Sequence, residues 1–242
     1  MSRIKLDTSF SPIINISHIQ GSLRIKGWDR PEFRGDADIN DTLDVKQKED
    51  TLDIKCSSGC ILRIPVESTV RIRKVDRELL VKSIEGDIEI GEVNQQVILK
   101  NISKTAIETI NSNLNAKQIE GDLSIKTLIG NAVIRDVDGN LEILDTHGNI
   151  NIRGLAMGLL ANTKGNAIIR FEPEPEGKYI INSDGNINCK VLPGVGGKVS
   201  ITSKNKVIRV KTPDQSENLN MEKYDFILGE ENSEITLHAG GN

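Results

Sequence analysis

The sequence predicts an all-β fold, a parallel β-solenoid of short strands joined by Gly-Asn and Gly-Asp turns with little or no helix. Three observations carry that reading. A phrase of apolar, any, Gly, polar, apolar, any, apolar recurs as Ile84-Glu85-Gly86-Asp87-Ile88-Glu89-Ile90, Ile119-Glu120-Gly121-Asp122-Leu123-Ser124-Ile125 and Val137-Asp138-Gly139-Asn140-Leu141-Glu142-Ile143. From Gly121 the glycines return nine residues apart, at Gly130, Gly139 and Gly148. The composition suits stacked strands: 34 residues are Ile and only 3% are aromatic. β-branched side chains favour pleated strands, and layers of aliphatic side chains need few rings.

Within each phrase the apolar residues lie two apart, the period of a strand with one buried face. The Gly shares their parity and faces inward, where a missing side chain suits a corner or a close backbone approach. From the last apolar residue of one phrase to the first of the next, the odd step breaks the alternation as a turn would. Such a fixed period marks a solenoid. One phrase cannot enclose a core; two phrases, about 18 residues, make one coil, and coils stack at about 4.8 Å. The frame reaches back to Gln95 and forward to Met157, fits badly near Lys104, and slips by a residue before Ser112 and Gly165. Asn follows Gly at Asn131, Asn140, Asn149, Asn166 and Asn186, and Asp does so at Asp36, Asp87 and Asp122. These pairs read first as turn dipeptides. A ladder of stacked side chains along the axis is the alternative.

The whole of 1–242 reads as a single elongated domain. Residues 1–80 form hairpins, irregular coils and a cap. Ile19-Gln20-Gly21-Ser22-Leu23-Arg24-Ile25 is one copy of the phrase, and it leads to Trp28, the one Trp, whose ring is expected to cap the first coil. Pro31 fixes a turn. Leu43-Asp44-Val45-Lys46 and Leu52-Asp53-Ile54-Lys55 alternate around the polar residues 47–51, a hairpin signal. A cap is needed because a bare solenoid end exposes unpaired strand edges. Residues 81–210 hold the regular coils, interrupted by a solvated loop at Phe171–Lys178 with two prolines. Residues 211–242 begin with a polar run from Thr212 to Asn220, expected as a mobile loop. They end in two strands, around Tyr224–Gly229 and Glu234–His238, expected to close as a hairpin or a final coil.

Net charge is −4 with acidic and basic residues mixed along the chain. That argues against a nucleic-acid platform and a polybasic membrane surface. There is no run of 18 apolar residues for a membrane helix, and Met1–Asp7 lack the apolar core of a signal peptide. Taken at face value the chain is cytoplasmic, with cell-surface association left open if it is part of a longer one.

Cys56, Cys60 and Cys189 read as free thiols, with Cys189 in an apolar slot of the phrase. Leu192-Pro193-Gly194-Val195-Gly196-Gly197-Lys198-Val199 lacks the first Gly of a phosphate loop and has Val where Ser or Thr would hold magnesium; it reads as a glycine-rich corner. Asp136-Val137-Asp138-Gly139-Asn140 hints at a calcium loop, but its twelfth position is His147 rather than a bidentate Glu. His18, His147 and His238 share no ligand spacing. His147 beside Asp145 suggests an acid–base pair and, more simply, a solvated corner. Glycosidic chemistry needs two carboxyls at a suitable separation, and Glu89, Glu142 and Asp145 fall on different phrases. No catalytic, cofactor-binding or metal residue is assigned, and no cofactor is expected.

Several stretches together carry a family resemblance: Ile19 to Glu32 with its Gly27-Trp28-Asp29-Arg30-Pro31-Glu32 element, Leu62-Arg63-Ile64-Pro65, the Gly-polar-apolar phrases, Phe226-Ile227-Leu228-Gly229, and Leu237-His238-Ala239-Gly240-Gly241. They resemble the bacterial "putative adhesin" family of β-strand-repeat proteins, a domain of unknown function related to LiaG-like proteins and distantly like bactofilins. The resemblance implies a right-handed parallel solenoid and brings no catalytic residues. The expected function is a non-enzymatic scaffold or interaction module that presents repetitive faces to a protein or polymer. The alternatives are a self-assembling, bactofilin-like filament subunit and a polysaccharide-active β-helix enzyme. A protein partner or self-association is expected, with room for a polysaccharide, but no nucleic acid and no direct membrane insertion.

Overall fold

A computed structural model describes residues 2–37, 43–155, 157–192, 196–211, 216–229 and 232–241. Among them are 26 strands and no helix, arranged as an eleven-stranded sheet, a thirteen-stranded sheet and a two-stranded ribbon. The expected all-β solenoid is formed. Two phrases make one coil: Leu123–Leu128 runs in the thirteen-stranded sheet and Ala132–Val137 returns in the eleven-stranded one. Leu141, eighteen residues after Leu123, begins the next coil and pairs with it in parallel.

Each strand from Leu79–Ile84 to Ile150–Leu155 buries its first, third and sixth residues, as with Leu123, Ile125 and Leu128, then Ala132, Ile134 and Val137. Strict alternation would bury the fifth. The ladder instead skips one residue per strand, the fifth in the eleven-stranded sheet and the fourth in the other. In the eleven-stranded sheet the skipped residues Ser83, Asn101, Gln118, Asp136 and Gly154 all have φ between 53° and 68°. This left-handed step is open to Gly and tolerated by short polar side chains. It lets the sixth residue point inward again, so aliphatic columns line both sheets and form one core between them.

The recurring glycines sit where consecutive coils touch. A Cβ on Gly148 would lie 2.4 Å from the Gly130 carbonyl oxygen, and one on Gly139 would lie 2.5 Å from the Gly121 carbonyl carbon. Neither has a positive φ; backbone already occupies the space a side chain would need. The Asn residues beside them do more than turn the chain. Asn113 Oδ1 accepts from the Asn131 backbone N–H (2.8 Å) and side-chain amide (3.3 Å). Asn131 does the same for Asn149, Asn149 for Asn166, and Asn166 accepts the Asn186 N–H. The ladder is therefore formed, and the plain turn reading is insufficient. Each rung satisfies a corner N–H that no strand partner reaches.

The coils do not stack in chain order at either end. Ile13–Ile19 lies between Thr51–Cys56 and Thr69–Val75, and Leu23–Trp28 lies between Cys60–Pro65 and Leu79–Ile84. The first coil is thus enclosed by two later ones. Antiparallel strands finish this end: Glu32–Ala37 on Cys60–Pro65, Ser2–Asp7 on Glu32–Ala37, and the expected hairpin of Leu43–Lys48 with Thr51–Cys56. Phe33 fills the space beneath them and is fully buried.

At the other end Glu234–Ala239 inserts between Lys178–Ser183 and Gly197–Ser203, parallel to both. Lys223–Leu228 pairs antiparallel on the far side of Gly197–Ser203. Of the two closing forms expected, the hairpin is not made, because a third strand separates its arms. Core columns decide this: Ile235 and Leu237 register with Tyr179 and Ile181 on one side and with Val199 and Ile201 on the other. The polar run expected as a mobile loop is partly strand. Ser216–Asn220 pairs antiparallel with Val207–Lys211, while residues 212–215 lie outside the described residues. Backbone pairing there needs no apolar alternation, so the sequence pattern was silent. The Phe171–Lys178 loop exposes its glutamates as expected, yet it is pinned: Pro173 is buried, and the Glu174 N–H donates to Tyr179 Oη at 2.9 Å.

Candidate interaction surface

The outer face of the thirteen-stranded sheet carries a groove of about 750 Å³. Its floor is low because Gly91 and Ala106 supply little side chain between Arg71, Arg73, Glu89 and Glu108. Charges here alternate and neutralise across neighbouring strands. Arg71 pairs with Glu89 (3.5 Å), Lys74 with Glu92 (3.1 Å) and Lys126 with Glu108 (2.9 Å). Glu142 accepts a hydrogen bond from Ser124 Oγ at 3.1 Å. Glu89 and Glu142 share one column but stand three strands apart, about 14 Å at the usual strand spacing.

The structure does bring His147 and Asp145 together, with Nε2 and Oδ2 3.2 Å apart. Lys164 Nζ lies 2.7 Å from the same His147 nitrogen, and all three side chains are well exposed. His18 contacts Asp76 at 2.8 Å at another corner, and His238 lies on Glu234–Ala239, so the three histidines do not converge. Cys56 and Cys60 are buried free thiols; burial, with Cys56 adjacent, pushes the Cys60 thiol above its usual range. Cys189 is free and half-buried on the edge strand Ile187–Val191, packed against the core margin. Asp136 occupies the left-handed step, and Asn140 donates to Asp122 Oδ1 rather than toward Asp136. Of the glycine-rich corner, residues 193–195 lie outside the described residues, and Gly197 and Lys198 open a strand. Among the described residues no group of three or more His, Cys, Asp and Glu is placed to hold a metal ion, and no helix is long and apolar enough to cross a membrane. Trp28 is half-buried. Its Nε1 donates to the Glu32 carbonyl at 2.7 Å, and the Arg30 and Arg34 guanidinium groups lie 5.3 and 4.7 Å from its ring centroid, so the ring fastens the turn after the first coil.

The outer face of the eleven-stranded sheet is different, and composition gave no sign of it. Every one of its strands carries a cation at the same register. The column runs Lys5, Arg34, Arg63, Lys26, Lys82, Lys100, Lys117, Arg135, Arg153, Arg170 and Lys190, each the ladder partner of the next. Lys5 and Arg34 share an ion pair with the single Glu32 carboxylate. The nine from Arg63 to Lys190 form no ion pair among the described residues. Of these, all but the half-buried Lys82 are exposed. Charges that mix along the chain are segregated in space, because from Leu79–Ile84 to Ile187–Val191 the fourth residue of each strand in this sheet is a cation and all of them fall in this one column.

No protein-family model matches the chain, and no curated protein matches it. Among the solved structures similar to it are the following three. A "putative adhesin" from Parabacteroides merdae is 12% identical over 79% of this chain and 95% of that one, with a TM-score of 0.35. A "putative cell adhesion protein" from Clostridium sporogenes is 9% identical over 99% and 95% of the two chains, with a TM-score of 0.22. A "putative adhesin" from Parabacteroides distasonis is 14% identical over 79% and 96%, with a TM-score of 0.29.

Proposed function

We propose that the chain is a non-enzymatic interaction module, a rigid two-faced solenoid that offers repeated side chains to a protein or polymer. One observation carries this reading: both outer faces are ruled into columns at the strand spacing, and the carboxylates on them are neutralised or dispersed rather than paired for chemistry. Glu89 and Glu142, about 14 Å apart, exceed the roughly 5–9.5 Å that glycosidic mechanisms use. The exposed His147–Asp145 pair is shared with Lys164, and in the open groove that Asp145 and Lys164 border, the Thr163 and Ser183 hydroxyls donate to the Gly148 and Gly165 carbonyls. The filament alternative is disfavoured by the N-terminal end, where antiparallel strands bearing Arg3, Lys5, Asp44 and Lys46 cover the coil; charged edge strands of this kind block strand addition. The reading holds in either compartment, cytoplasm or cell surface.

The test is turnover. The full chain is incubated with neutral and acidic polysaccharides, and new reducing ends and unsaturated ends are measured. No release above buffer is expected. Release that tracks the purified protein and disappears in Asp145→Asn or Glu89→Gln would overturn the reading.

A further inference from the structure

The column of unpaired cations calls for an anion, and its form restricts which one. We propose that the outer face of the eleven-stranded sheet is a binding track for a linear acidic polysaccharide, a chain of carboxylated sugars lying across the strands along the solenoid axis. This rests on the interaction-module reading and names its partner class.

The track is long and, except at Leu23–Trp28 where Arg24 flanks Lys26, one cation wide. Nine cations at the strand repeat of about 4.8 Å span about 38 Å. Neighbouring charges lie closer than the Debye length of about 8 Å at physiological salt, so a polymer meets a continuous positive line. Extended uronate chains carry one carboxylate per sugar in single file, a repeat comparable to the strand spacing. The Arg members can grip carboxylates with two parallel N–H donors, while the Lys members act as point charges.

The flanking column favours sugars over other polyanions. Beside the cations run Leu80, Ile98, Asn115, Val133, Asn151 and Ile168 in ladder register. Aliphatic side chains suit the C–H faces of pyranose rings, and Asn amides suit their hydroxyls. Single-stranded nucleic acid needs aromatic platforms for its bases, and the one Trp on this face, Trp28, sits at one end already covered by Arg30 and Arg34. A bilayer presents charge in two dimensions, whereas this track has one. The opposite face follows the same stacking geometry but neutralises its charges between strands, so stacking alone does not produce the column.

The experiment measures binding of size-fractionated polygalacturonate to the full chain by calorimetry at about 50 mM salt. Dextran, polyphosphate, single-stranded DNA and anionic phospholipid vesicles serve as competitors. The expected result is binding that strengthens with chain length up to the span of the track and weakens about tenfold or more by about 200 mM salt. The combined Lys100→Ser, Lys117→Ser, Arg135→Ser variant should lose at least about tenfold. The charge-keeping set Lys100→Arg, Lys117→Arg, Arg135→Lys and the opposite-face Lys126→Ser should bind as the intact chain does, with unchanged circular dichroism in all. Absence of polygalacturonate binding by the intact chain overturns the proposal. So does full binding by the serine variant, or tighter binding of DNA, polyphosphate or vesicles. Cleavage of the bound polymer would instead refute the non-enzymatic reading and leave the track standing.

Discussion

Gly121 and Gly139 hold the same slot of the repeat, one coil apart, yet alanine should affect them very differently. Neither has a positive φ, so backbone conformation does not distinguish them; space does. A methyl on Gly139 would stand 2.5 Å from Gly121 C, 2.6 Å from Gly121 O and 2.7 Å from Asp122 N. A methyl on Gly121 would meet Lys104 N at 3.1 Å, Cα at 3.3 Å and Cβ at 3.4 Å. The second case needs a shift of a few tenths of an ångström; the first needs nearly one. The bonds that would stretch are Asp138 N–H to Ile119 O (2.9 Å), Leu123 N–H to Asn140 O (2.9 Å) and Asn140 N–H to Asp122 Oδ1 (2.7 Å). At about 1 kcal/mol each, three weakened bonds amount to about 3 kcal/mol. Alanine returns about 0.4–1 kcal/mol by stiffening the unfolded chain. Gly139→Ala should therefore lose about 2–3 kcal/mol, and Gly121→Ala should stay within about 1 kcal/mol of the parent. Urea unfolding followed by far-ultraviolet circular dichroism measures both. Equal losses, or a larger loss at Gly121, would refute the claim that these glycines exist to admit the backbone of the neighbouring coil.

The Asn ladder makes a second prediction. Asn149→Ala removes the acceptor for the Asn166 N–H (2.8 Å) and side-chain amide (3.2 Å), and the donor to Asn131 Oδ1 (3.1 Å). It should cost about 1–2 kcal/mol and speed hydrogen exchange at the Asn166 amide in particular; unchanged protection there would contradict the ladder. Cys60 makes a third. Burial raises its thiol above the ordinary value of 9.0, and Cys56 adds to the shift. The folded chain then holds this proton more tightly than the unfolded chain does. The resulting stability is complete below pH 9.0 and declines as pH rises above it. Cys60→Ala should flatten the fall in urea midpoint between about pH 8 and about pH 10.5, and parallel slopes for variant and parent would sink the assignment.

Much of the fold could be read from the chain because the repeat is a physical period. Inward aliphatic residues two apart and an inward Gly define the strand and its corner, and two phrases define the coil. The left-handed steps at Ser83, Asn101, Gln118 and Asp136 were hidden, since the four residues share no identity and only their position fixes their conformation. Stacking order at the ends was hidden for another reason. Ile13–Ile19 between two later coils, and Glu234–Ala239 between Lys178–Ser183 and Gly197–Ser203, are long-range pairings that no local pattern encodes. The candidate surface lay between these extremes. Its residues were in view, but they were averaged away by a net charge of −4. Counting charge along the chain treats Lys117 and Glu120 as neighbours, whereas the coil makes Lys117 the neighbour of Lys100 and Arg135.

The cationic column also runs against what folding by itself favours. Like charges directly opposite in adjacent strands destabilise a sheet, and opposite charges stabilise it. The thirteen-stranded sheet follows that rule at Arg71–Glu89, Lys74–Glu92 and Lys126–Glu108. The eleven-stranded sheet breaks it at every step from Arg63 to Lys190, although its cations sit on the same kind of ladder and alternation was equally available. Solvent and salt screen the repulsion enough for the fold to tolerate it, but tolerance does not explain eight consecutive like-charged steps. Where local choices oppose the stability of the whole in so regular a way, a functional demand is the economical cause. Here that demand is a partner whose negative charges repeat along a line.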